Sequence, residues 1–213
     1  VAAVGGDVRR ALALYDWNVR TSSAVYEALH RFEVGLRNAM DPNLGMWNAA
    51  QADAVTGRRH GRDWLLDPSR LLVRLAGRAI HEATPRAAKA VRRGAVSRRV
   101  LHDDVLAAAS LGTWRYLLPD RDAGRARLWE DAVHTAFPRL PATSTGPDVT
   151  ARVSHVLALR NRVAHLEPLL DVRRTQRQIE AAYTVASWID PHLHTWITST
   201  QTVTAALKER LAM

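Results

Sequence analysis

Apolar residues recur three and four apart along almost the whole chain, and nowhere do they alternate with polar ones for long enough to make a strand. A period near 3.6 with no sustained period of two restricts the chain to packed helices, so the expected class is all-α, with seven to nine helices. At 213 residues with 47% apolar content, it is long enough to bury a core and fits one domain spanning 1–213.

Helix boundaries follow from caps and breakers. Asp7 can cap a helix through "VRRALALYDWNVRT", and Thr21-Ser22-Ser23 can cap the next, whose apolar face includes Val25, Leu29, Phe32 and Leu36. Asp41-Pro42 should kink or restart that helix. "GRRHGRDWLLD", Gly57 to Asp67, reads as a loop, and Pro68-Ser69 opens a helix to about Ala83. The basic stretch "RAAKAVRRGAVSRR" follows Pro85, with Gly94 as a breaker. One helix containing "VLAAASLGTWRYLL" should end before Pro119, and another should span roughly Ala123 to Ala136. "PRLPATSTGP", Pro138 to Pro147, is linker-like. Asp148 to about Leu166 is a helix limited by Pro168; Asp171 starts another, and Asp190-Pro191 caps the last.

Charge and composition narrow the function classes. With no cysteine, disulfides, thiolate metal sites and cysteine nucleophiles are excluded. The net charge of +9 is carried by Lys89, Lys208 and otherwise only arginine, a footprint of polyanion binding. No apolar run approaches the ~18 residues that span a bilayer, and "VAAVGGDVRR" lacks the regions of a signal peptide. A soluble, cytoplasmic protein with no membrane association is expected. Phosphate loops, dinucleotide fingerprints and nucleophile elbows are missing from the sequence.

One stretch stands out, "LALRNRVAHLEPLL", Leu157 to Leu170. An arginine followed by a histidine five to seven positions on occurs at Arg74/His81, Arg127/His134 and Arg160/His165. Roughly three or four such matches are expected by chance, so spacing alone decides nothing. Context separates them: Arg74 and Arg127 are each followed by leucine, whereas Arg160 is followed by the polar Asn161, and only His165 stands at a helix-to-turn junction.

"LRNRVAHLEP" resembles the signature of the HEPN superfamily, whose RNase members carry arginine, a polar residue, three to five residues and histidine. More narrowly, the chain is similar to the Abi-like (abortive infection) branch. The likeness extends to "YDWNVRTSSAVYEALHRFEVGLRNAM", "SLGTWRYLL" and "ASWIDPHLHTWI", in the expected order. It departs at Leu166, where related sequences often have a second histidine. The resemblance implies a HEPN-like helical bundle with additional helices, usually homodimeric, that cleaves RNA without metal or cofactor as a toxin or phage-defence effector, with an antitoxin as a further partner. Arg160, Asn161 and His165 would be catalytic. Glu33, spaced i,i+4 from Arg37, would support the motif helix together with Arg37 and Asn38. The alternative is a catalytically weak HEPN-fold module that binds RNA or a protein partner; a helical DNA-binding regulator is weaker, since no helix-turn-helix stands out.

The residue types suit the chemistry. In metal-free cleavage the substrate's 2′-hydroxyl attacks the adjacent phosphorus, leaving a 2′,3′-cyclic phosphate and a 5′-hydroxyl. An imidazole, with an ordinary pKa of about 6.5, exchanges protons at neutral pH, and a permanent guanidinium stabilises charge growing on phosphoryl oxygens. At ~100° per residue, Asn161 and His165 share a helix face while Arg160 and His165 stand about 140° apart. A composite site at a twofold interface would bring both sets into one cleft.

Other residues have plainer readings. His192 and His194 point in different directions and make a poor metal pair. His102-Asp103-Asp104 reads as an acidic first helical turn. The seven tryptophans are read mainly as packing, with Trp114 in the core and Gly112 allowing a close helix approach. Arg58-Arg59, Arg92-Arg93 with Arg98-Arg99, and Arg173-Arg174 with Arg177 are solvated faces or guides for an RNA backbone.

Overall fold

The structure, a computed structural model, describes residues 5–94 and 98–211. Among them the chain is all-α: α1 (Val8–Ala50), α2 (Arg70–Arg93), α3 (His102–Ala108), α4 (Leu111–Leu117), α5 (Ala123–Asp131), a 3₁₀ turn (Val133–Ala136), α6 (Gly146–Ala164), α7 (Val172–Ile189), α8 (Pro191–Thr200) and α9 (Val203–Leu211). The only β feature among the described residues is an isolated bridge between Ala52 and Arg59. None of these helices is long and apolar enough to cross a membrane.

Asp7, Asp171 and Asp190 cap helices as expected, each accepting a backbone N–H of the first turn, and Gly94 terminates α2. Several boundaries differ. Thr21-Ser22-Ser23 lies inside a continuous α1: Thr21 is buried, and Ser23 bonds back to the Val19 carbonyl instead of capping. Pro42 is also carried within α1, and the Asn43 side chain donates to the Ala39 carbonyl one turn back. Pro85 likewise lies inside α2, which runs to Arg93. Conversely, the expected helix over "VLAAASLGTWRYLL" breaks at Ala109-Ser110, both extended, into α3 and α4. A 3₁₀ turn ends the segment expected to run as helix to Ala136. The Pro138–Pro147 stretch leads directly into α6, whose first turn includes Pro147 and where Asp148 accepts from the Thr145 backbone and hydroxyl. Asp190-Pro191 opens α8, and α9 follows. Of the basic stretch, residues 95–97 lie outside the described part.

The chain divides into two compact units, with boundaries inside α1 and α6. One unit is Leu36–Thr150. Here α2 packs on α3, α4 and α5, around Leu36, Met40, Leu44, Leu72, Leu111, Leu117, Leu128 and the edge-to-face pair Trp64–Trp114. Gly112 is not a close-approach position, since an added Cβ would meet only Ser110 Oγ at 3.5 Å. Buried Asn48 organises the 57–69 loop by donating to the Gly61 and Asp67 carbonyls and accepting from the Ser69 N–H.

The other unit combines the chain up to Gly35 with Ala151 onward. α7 is its centre, packing on α8 and α9, with Trp17, Leu29, Phe32, Val153, Val156, Leu159, Ile179, Val185 and Ile197 in the core. Trp17 Nε1 donates to the Ala206 carbonyl at 2.6 Å, and Asn18 Oδ1 accepts the Leu169 N–H at 2.7 Å. Gly35 admits Leu193 so closely that a Cβ would lie 2.5 Å from its methyl group. This unit carries the Arg160–His165 motif.

Candidate functional site

α6 ends in a turn built around the motif. The Leu166 N–H donates to the Val163 carbonyl at 3.2 Å and the Glu167 N–H to the Arg162 carbonyl at 2.8 Å, the paired bonds of a Schellman cap. His165 is the capping residue, exposed, one turn above exposed Asn161, whose carbonyl accepts the His165 N–H at 2.9 Å. The left-handed position after the cap, usually glycine, is Leu166, with φ of 57°. Among the described residues it is the only non-glycine with positive φ, and it is 87% exposed.

Arg162, to which sequence reasoning assigned no role, fastens this turn. It is 8% exposed, and its guanidinium donates to the Pro168 carbonyl at 2.8 Å and to Gln178 Oε1 of α7 at 3.2 Å. Burial lowers its pKa, Arg174 lowers it further, and Glu167 and Asp171 oppose the shift. The only sequence signal was its place two residues beyond Arg160, which puts the two on opposite sides of α6.

The three arginine–histidine matches, inseparable by spacing, differ in their partners. Arg74 is gripped bidentately by Asp122 at 2.7 and 2.8 Å, which holds that carboxyl well below its ordinary range. Arg127 pairs with Asp131 at 3.2 Å, and His134 bonds the Trp129 carbonyl through Nδ1. Half-buried Arg160 has no carboxylate within ion-pair distance among the described residues, and the exposed His165 ring likewise has no hydrogen-bond partner there. Of the three pairs, only this one has both members uncommitted.

The supporting residues stand on α1. Glu33 is half-buried and already engaged; Arg37 is half-buried with Nε unpartnered; Asn38 is exposed. The unit boundary falls between Gly35 and Leu36, so Glu33 belongs to the motif's unit and Arg37 and Asn38 to the other.

His102 does open α3, with Asp104 accepting the Leu101 N–H, but its ring has a further role that the sequence did not reveal. Its Nε2 lies 2.9 Å from Asp41 Oδ1, which also accepts Trp64 Nε1–H at 2.8 Å. Burial opposes protonation, yet Asp41, with Asp63 and Asp103, outweighs it and raises the His102 pKa. Of the tryptophans, Trp17, Trp64 and Trp114 are fully buried, and Trp196 is the most exposed.

No protein-family profile, curated protein or solved structure matches the chain significantly.

Proposed function

We propose that this protein is a metal-independent endoribonuclease of the HEPN, Abi-like type, in which Arg160 and His165 carry the reaction. The supporting observation is the contrast among the three pairs: Arg74 and Arg127 are neutralised by carboxylates, while Arg160 and His165 are uncommitted. His165 at a solvent-facing helix end can reach a ribose 2′-hydroxyl or a departing 5′-oxygen, and Asn161 on the same face can hold a phosphate oxygen or orient the ring. Arg160 supplies fixed positive charge to the transition state. The partner is RNA, the cellular setting cytoplasmic growth arrest, with an antitoxin as a natural regulator.

Arg160 and His165 stand well apart around the end of α6, and two copies packed about a twofold axis bring both sets to one cleft, so the proposed site is composite across a homodimer. α1 provides a seam suited to self-association. Val8, Leu12, Tyr15, Val19 and Tyr26 are 46–66% exposed and lie on the alternating four-and-three positions of a two-stranded coiled seam, with Ser22 at the one polar position between them.

The test is cleavage by the purified protein in EDTA. It should cut RNA, spare the all-deoxy analogue, and lose about a hundredfold or more in rate on His165→Ala with folding retained. Deoxy-substrate cleavage, an unaffected variant, or full-rate cleavage by a strictly monomeric protein would each contradict the reading.

A further inference from the structure

Between α6 and α7 lies a groove of about 610 Å³, the size of a small-ligand site, lined by Arg152 and His155 from α6 and by Arg174, Arg177, Gln178 and Glu180 from α7. Arg160 and His165 are not among its lining residues. We propose that this groove is a phosphate-binding site, taking the phosphates of a free nucleotide or polyphosphate, or those of an RNA strand.

Four observations converge on it. Arg174 and Arg177 lie one turn apart on α7, both exposed, and among the described residues no carboxylate lies within ion-pair distance of either guanidinium. Nine of the 28 arginines, among them Arg74 and Arg98, do have a carboxylate partner, so the absence matters here because Arg174 and Arg177 line one groove together.

Next, Arg173 and Arg174 occupy the first turn of α7, which holds no acidic residue. That end of a helix carries partial positive charge, so cations there are unfavourable, and the Asp171 carboxylate that caps it offsets only part of the surplus. Arg174 also lies close enough to buried Arg162 to depress its pKa, with Glu167 and Asp171 opposing the effect.

Arg152 reaches the groove from the opposite wall. Its guanidinium stacks 5.0 Å over the Trp188 ring, and its Nε is buried without a hydrogen-bond partner. Stacking fixes the plane of the fork. Finally, the walls are joined rigidly: Gln178 accepts from Arg162 and donates to the His155 carbonyl, holding α6 and α7 in register. Glu180 is the one acid lining the groove, and Gln176 Nε2 donates to its carboxylate at 3.0 Å. Three guanidinium groups against one engaged carboxylate leave the groove cationic, and an oxyanion with several acceptor oxygens resolves the conflicts together.

The experiment is thermal unfolding of the His165→Ala protein at low ionic strength, titrated separately with tripolyphosphate, ADP and a 12-nucleotide RNA. It is then repeated with Arg174→Gln and Arg177→Gln added. His165→Ala keeps the RNA intact, so the result does not depend on whether the protein is a ribonuclease. Tm should rise with ligand concentration. The added substitutions should weaken that response by at least about tenfold in apparent affinity, while leaving the ligand-free Tm equal or higher. A response to tripolyphosphate and ADP assigns the site to free phosphate compounds, and a response to RNA alone assigns it to strand phosphates. No response to any of the three, or unchanged affinity after both substitutions, overturns the proposal.

Discussion

Leu166 adopts φ of 57° with 87% of its surface in solvent, a conformation costing an L-residue about 1–2 kcal/mol with no burial to offset it. Two residues of the same turn should therefore respond in opposite directions. Leu166→Gly relieves the left-handed strain and, after the extra entropy of a glycine chain, should stabilise by about 0.5–1 kcal/mol. Arg162→Met removes two charge-assisted bonds, to the Pro168 carbonyl and Gln178, and should cost about 2 kcal/mol. Urea midpoints measure both. A destabilising glycine or a neutral Arg162→Met would show that the turn is held by something else. Arg160 and His165 could be singled out as candidates in the sequence because the local pattern that marks them involves no distant partner. Arg162's burial and the neutralisation of Arg74 by Asp122, 48 residues away, depend on tertiary packing that no local pattern encodes.

At the scale of elements, terminal signals were readable where a side chain caps its own helix, as Asp7, Asp171 and Asp190 do. Interior breakers were misleading. Pro42 and Pro85 each forfeit a backbone bond, but the helices carrying them also bury Met40 and Leu44, or Ala83 and Ala87, and packing outweighs the local penalty. The His102–Asp41–Trp64 cluster ties the α3 start to α1, and its stability depends on pH. Because the folded His102 pKa is raised above its ordinary 6.5, the contribution is complete below about 6.5 and lost as pH rises through the folded value. Urea midpoints should therefore fall between pH 6 and 8 more steeply for the native protein than for His102→Gln. Equal slopes would refute the coupling.

For the whole molecule, period and composition were enough to establish an all-α chain, since a helical stripe must bury itself on other helices. The division into two units was not readable. Its boundaries fall within α1 and α6, where helix periodicity continues unbroken, while the proline-rich Pro138–Pro147 stretch lies inside one unit. Nine of the 28 arginines are paired with carboxylates among the described residues, and the rest, Arg59, Arg70 and Arg92 as much as Arg160 and Arg174, are not.

Whether Arg160 and His165 together break RNA is decided by sequencing total RNA ends in cells expressing the native protein beside His165→Ala. Growth arrest by the native protein, with new ends bearing 2′,3′-cyclic phosphates that vanish in the variant, is the predicted result. Equal growth and identical RNA ends in the two strains would contradict it.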